Sequence, residues 1–202
     1  KNLLLARGPR TRLSAEMVRD NALAVSGLLA HREGGPSVMP PLPEGLWRAP
    51  YSRKKWVTAK GPDRYRRALY SFWSRSTPYP SLITFDTPTR DLCNLQRIPT
   101  DTPLQPLVTL NDPVYLEAAQ NLAQIMADYS KTDPRSKLAH GHVLTTQSKA
   151  SEVTLNILVN SYNELKDTYI QESTGTLAES SEAAAYVNLA SILLNIDSAL
   201  TK

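Results

Sequence analysis

The sequence predicts an all-α domain, an irregular helical fold with long proline-rich ordered loops and a buried C-terminal helix. Three observations lead there. Apolar residues recur at helical spacing in several segments, and nowhere do they alternate as a half-buried strand requires. Of the 15 prolines, 13 fall between Pro36 and Pro113, so regular structure is interrupted mainly in the middle, where each ring fixes φ and removes an N–H. The last segment is apolar nearly all round: Ala184, Val187, Leu189, Ala190, Ile192, Leu193, Leu194, Ile196 and Leu200. A helix of that kind is enclosed by others. The length of 202 residues suits a single domain over 1–202.

The elements follow in order. Ser14 reads as an N-cap, with Glu16 in the first turn. Val18, Ala22, Val25 and Leu29 form one stripe, and the helix is expected to stop before Gly34-Gly35. Residues 34–62 read as an irregular segment anchored by Trp47, Tyr51 and Trp56, with Arg53 on an exposed loop. Asp63 is the expected cap of a helix that puts Tyr65, Leu69, Phe72 and Trp73 on one face and stops before Pro78. Tyr70 and Tyr79 are the aromatic residues expected to reach the surface.

The stretch from Tyr79 to Asp112 organises the chain. Five prolines stiffen it, yet Leu82, Ile83, Phe85, Leu92, Leu95, Ile98, Leu104, Leu107 and Leu110 are too much apolar surface for a solvated tail. It is expected to be an ordered crossing, with Leu82, Phe85, Leu92 and Leu95 packed on the helices. Thr102-Pro103 opens a short helical piece, and Asn111-Asp112-Pro113 opens a longer helix with Tyr115, Ala119, Leu122, Ile125, Met126 and Tyr129 on one face. Residues 130–150 are polar and ambiguous. A helix from Glu152 to Gln171 follows, Ser173–Thr176 breaks it, and Ser181 caps the last helix.

The run RRALYSFWSRSTPYPSLITFDTPTRDLCNLQRIPTDTPLQPLVTLNDPVYLEAAQNLA, from Arg66 to Ala123, resembles the signature of a bacterial domain family of unknown function. That family is numbered fifteen fifty-three and is also described as a planctomycete-type cytochrome-c-associated C-terminal domain. RGPRTRLSAEMVRDNALAVSGLL (residues 7–29), GGPSVMPPLPEGLW (34–47) and AAAYVNLASILLNIDSALTK (183–202) are similar to it as well. Pro106 replaces a small helix former of the family, and the segment after Trp47 is shorter. The resemblance implies a neighbouring cytochrome-c-type domain in the same polypeptide, a periplasmic or cell-surface location, and haem bound elsewhere. It names no reaction. Lys1 to Ala6 reads as the middle of a longer protein.

Chemistry is sparsely signalled. Net charge is +4 and the basic residues scatter, so nucleic acid is not an expected partner. The single cysteine, Cys93, allows no disulfide and no C-x-x-C-H haem attachment; it is expected to be a small buried hydrophobe. His31, His140 and His142 lack metal-ligand spacing. No cofactor or metal is expected, and no run of about 18 apolar residues suggests a membrane span. There is no G-x-S-x-G elbow and no glycine-rich phosphate loop.

What remains is the polar set inside or beside the organising stretch: Arg66, Arg67, Asp86, Arg90, Arg97, Asn111 and Asp112. These residues serve either as clamps that satisfy irregular backbone or as a binding site for carboxylate or sugar groups. The architectural role is preferred. The chain is then a non-catalytic structural or interaction module whose partners are neighbouring domains of its own polypeptide. The alternative is a polysaccharide-processing or carbohydrate-binding domain using loop Asp and Arg residues, including Asp91 and Asp101, as acid and base.

Overall fold

The computed structural model describes residues 3, 4, 6, 8, 10–47, 55–129, 133–172 and 178–202, without the side chains of 172 and 178–180. The expectations for Tyr51, Arg53 and the break at Ser173–Thr176 lie outside the described residues. The fold is all-α: the helices are α1 (Ala15–Val25), α2 (Pro80–Thr84), α3 (Leu104–Asn111), α4 (Pro113–Tyr129), α5 (Pro134–Thr146), α6 (Glu152–Glu172), α7 (Ala178–Asn195) and α8 (Asp197–Leu200). Among the described residues there is no sheet, only isolated bridges.

The centre is the pair α4 and α7, which make the most extensive helix contact. α6 covers α7, α1 and α3 lie on α4, and α5 fills the remaining side. Leu122 and Met126 of α4 meet a core that includes Leu189 and Leu193 of α7, Leu138 of α5 and Val18 of α1, all sealed from solvent. The expected central position of the last helix therefore holds, although Ile192 is 43% exposed while Leu193 is fully enclosed. α7 begins at Ala178, so Ser181 lies inside the helix and is buried, where the sequence suggested a cap.

Gly141 explains how closely α5 approaches α4. A Cβ at that position would sit 2.5 Å from the Met126 sulfur and 2.9 Å from its Cγ. Glycine is the residue that leaves room between the two helices for the Met126 side chain.

Helix α1 ends nine residues before Gly34. Gly27, at φ 70°, is the left-handed residue of a Schellman ending. The Leu28 N–H reaches the Leu23 carbonyl at 2.9 Å, and the Gly27 N–H reaches Ala24 at 3.1 Å. Leu29 thus leaves the helical stripe.

The helix expected from Asp63 does not form. Residues 61–70 hold two 3-10 turns, Gly61–Tyr65 and Ala68–Tyr70, with Arg66 extended between them. Tertiary partners take the backbone groups that a helix would use. The Tyr65 carbonyl accepts from Ala30 N–H (3.0 Å), the Tyr70 carbonyl from Val38 (2.8 Å), and the Phe72 N–H bonds Val38 (2.7 Å). Leu69 is consequently 68% exposed. The tryptophan anchors do pack: Trp56 stacks on Tyr79 at 5.6 Å between ring centroids and tilts against Trp47 at 5.4 Å. Tyr79 is buried, contrary to expectation. Its hydroxyl donates to the Pro41 carbonyl at 2.9 Å.

Candidate functional site: the pinned loop from Asp86 to Gln105

The seven sequence-nominated residues do not converge on one site. Arg66 and Arg67 serve the 30–38 segment and α1. Arg66 is 2% exposed; its guanidinium donates to the Pro36 carbonyl (2.9 Å), the Arg32 carbonyl (3.4 Å) and the Gly34 carbonyl, and lies 3.9 Å from the Tyr70 ring centre. Arg67 is exposed and bonds Asp20 at 3.0 Å. Asn111 is exposed and bonds its own helix at the Leu107 carbonyl, 2.7 Å.

Asp112 is a buried cap. One carboxylate oxygen accepts the Val114 N–H at 2.9 Å; the other accepts from Ser81 (3.1 Å) and from Tyr79 (3.5 Å). Burial raises its pKa above the ordinary value, and those hydrogen bonds and the charge of Arg19 only partly oppose the rise. The same burial drives the Tyr79 and Tyr115 hydroxyls upward.

Asp86, Arg90 and Arg97 do belong to the crossing. Asp86 sits at φ 62° just beyond α2. Its carboxylate accepts the Thr100 N–H (2.6 Å) and the Thr100 hydroxyl (2.8 Å), closing the loop that spans residues 87–99. Arg97 holds Glu16 through two bonds of 2.6 and 3.0 Å, tying that loop to the start of α1. Burial raises the Glu16 pKa, but the Arg97 hydrogen bonds and charge outweigh it, leaving the carboxyl below its ordinary value. Arg90, at φ 66°, lies over the Trp73 ring at 4.7 Å.

Beside these pins is a cleft of about 270 Å³ lined by Arg12, Ser14, Phe85, Asp86, Arg97 and Pro99, among others. Its charged groups already have protein partners.

Two decisive residues carried weak sequence signals. Gln105 is 1% exposed. It donates to the carbonyls of Thr84 and Thr100, both at 3.1 Å, and accepts from Arg12 at 2.6 Å. Arg19 is equally buried and donates to the carbonyls of Arg66 (2.6 Å) and Arg64 (3.2 Å). The signal for Arg19 was its register: positions 15, 19 and 22 share a helix face with two alanines.

Polar contacts pin the crossing, but those of Asp86 and Arg97 lie at the surface, where buried clamps on the backbone were expected, and its apolar residues divide. Leu82 and Phe85 are buried. Leu92, Leu95 and Ile98 are nearly or fully exposed, and Leu104, Leu107 and Leu110 of α3 are at least 42% exposed. Polar pins and proline geometry hold this loop, and the leucines point outward. Cys93 is exposed with them, where a buried thiol was expected.

The family described as "PSD1: Protein of unknown function (DUF1553)" matches residues 1–162. The chain belongs to this family. The match takes in the pinned loop and every nominated residue of the DUF1553 domain; α7, α8 and the C-terminal likeness read at 183–202 lie beyond it. No curated protein and no solved structure matches the chain. Among the described residues, no helix is long and apolar enough to cross a membrane, and no group of three His, Cys, Asp or Glu residues is placed to hold a metal ion.

Proposed function

We propose that this chain is a non-catalytic structural and interaction module of an extracytoplasmic, cytochrome-c-domain-linked protein, and that it docks a neighbouring domain of its own polypeptide through the pinned loop and α3. The carrying observation is the exposure of Leu92, Leu95, Ile98, Leu104 and Leu107 on backbone fixed by Asp86, Gln105 and Arg97. The five fall within one stretch, residues 92–107, and large apolar side chains exposed together mark interaction surfaces. A pre-ordered loop also loses little entropy on docking.

The position of Lys202, paired with Thr11, supports an intramolecular partner. The Thr11 N–H bonds the Lys202 carbonyl at 2.6 Å and the reverse bond is 3.0 Å. Arg12 between them reaches Gln105 (2.6 Å) and Asp101 (3.3 Å) at the foot of the loop. Sequence attached after Lys202 would therefore leave beside the foot of the loop. Hydrogen exchange measured on this chain alone and within the full polypeptide tests the proposal. Amides of residues 92–110 become protected in the full polypeptide, and Leu95→Asp with Leu107→Asp removes the protection. Equal exchange in both forms refutes it.

The alternative, carbohydrate binding by loop Asp and Arg residues, draws its support from the cleft that joins Phe85, Asp86 and Arg97. Saturable glycan binding lost in Arg97→Ala, whose ion pair is partly exposed, would favour it.

A further inference from the structure

A second cleft, of about 470 Å³, opens between the end of α4, α5 and the start of α6. One wall is the Tyr129–His140 pair, whose rings are parallel to 4° with centroids 3.9 Å apart. Tyr129 is 58% exposed despite this stacking. Val143 and Leu155 supply apolar lining. Lys149 and Glu152 stand at the rim, but their charges differ in availability. Glu152 is ion-paired with Arg135. Lys149 and the His140 ring nitrogens have no hydrogen-bond partner among the described residues. The free electrostatic capacity of the cleft is thus cationic, beside an aromatic face.

We propose that this cleft binds a hexuronate, a pyranose ring bearing a carboxylate. The C–H face of such a ring stacks on an aromatic side chain, its carboxylate pairs with the Lys149 ammonium, and its hydroxyls meet His140 and the rim. Small ligand sites combine apolar lining with a few placed polar groups in this way. The neutral alternative, an uncharged sugar, leaves Lys149 unused; an aromatic carboxylate uses Lys149 but has no hydroxyls for the rim. This site is separate from the pinned loop, and its fate is independent of the docking reading.

The test is a titration of the isotope-labelled chain with sodium glucuronate, glucose and sodium benzoate, followed by amide and histidine NMR signals. Glucuronate shifts signals of residues 136–155 with Kd on the order of 1 mM, the range open to a monosaccharide-sized ligand. Glucose binds at least about fivefold more weakly, and Lys149→Ala weakens glucuronate by a similar factor while leaving glucose unchanged. Tyr129→Ala abolishes both. Lys149 and Tyr129 are exposed, so neither variant threatens the core. No glucuronate shift below about 20 mM, shifts mapping elsewhere, or tighter benzoate than glucuronate binding would overturn the assignment.

Discussion

Replacing Arg66 by alanine is expected to be the most damaging single change among the nominated polar residues. Its side chain is enclosed and holds the carbonyls of Gly34 and Pro36, with a longer bond to Arg32. Hydrogen bonds from a charged donor contribute about 1.5–3 kcal/mol each. Residues 34–36 are exposed, so water can replace part of that loss, and two such bonds set the scale at about 3 kcal/mol. The Tyr70 contact adds about 1 kcal/mol. A total near 4 kcal/mol corresponds to a fall in melting temperature of roughly 8–16 °C for a domain of this size. The control is Arg67→Ala, one residue on, whose exposed pair with Asp20 contributes about 0–1 kcal/mol. Arg66→Lys keeps the charge but not the planar fork, and falls between the two. The assay is urea and thermal unfolding of the three variants, with hydrogen exchange at the Val38 and Phe72 amides, which join the segments that Arg66 clamps. If Arg66→Ala melts within about 2 °C of Arg67→Ala, the clamp is not holding the loop and the reasoning fails.

Three other perturbations follow from packing and charge. Gly141→Ala gains about 1 kcal/mol of helix propensity but drives a methyl into enclosed Met126, an overpacking cost of about 1–3 kcal/mol. A lower urea midpoint at unchanged slope is expected; a higher midpoint would contradict the close α4–α5 approach. Asp112→Ala strips the cap from Val114 and takes the acceptor from Ser81, while Tyr79 keeps its bond to the Pro41 carbonyl, a loss of about 2 kcal/mol, whereas Asp112→Asn retains an acceptor and loses less. Because the folded-state pKa of Asp112 is raised, the wild type gains stability relative to Asp112→Asn as pH falls through that pKa; urea midpoints of both at pH 7 and 4 measure this. Glu16 behaves oppositely. Its depressed folded-state pKa contributes stability above the unfolded value of 4.5 that disappears as pH falls through the folded value. The gap between wild type and Arg97→Ala, about 0–1 kcal/mol at pH 7 for a partly exposed pair, should therefore close in acid; a gap that widens at pH 3 would exclude the pairing as its origin.

Helices α4, α6 and α7 were legible in the sequence because each buries a long stripe, and period alone reports that. The 63–77 segment was misleading for a physical reason. Its aromatic spacing is helical, but its carbonyls are used by Ala30 and Val38, residues distant in sequence. The end of α1 was readable at Gly27, since a glycine after an apolar stripe is the usual left-handed stop; the later Gly34-Gly35 pair drew attention instead. The packing of Leu82 and Phe85 was foreseen from the apolar content of the crossing. The direction of Leu92, Leu95 and Ile98 was not, because composition cannot tell a leucine that packs inward from one held outward. Of the nominated polar residues, Asp86, Arg97 and Asp112 anchor the crossing, yet Gln105 and Arg19 are more deeply buried. A glutamine in a short helix and an arginine in an alanine-rich seam look ordinary until the chain that crosses them is known.

The pairing of residues 11–13 with 200–202 has a mechanical consequence. Arg12 and Thr201 form an antiparallel bridge, flanked by bonds joining Thr11 to Lys202 and Leu13 to Leu200. In such a ladder the bonds run perpendicular to the strands. Tension drawing residues 10 and 202 apart would load the outermost pair alone, then the next, as a zipper opens. The short ladder should yield at low force, and the load would then reach α1 on one side and α8 on the other. Helices α4 and α7, which lie between them, would be sheltered until that peeling was complete. The bridge would act as a fuse placed ahead of the core.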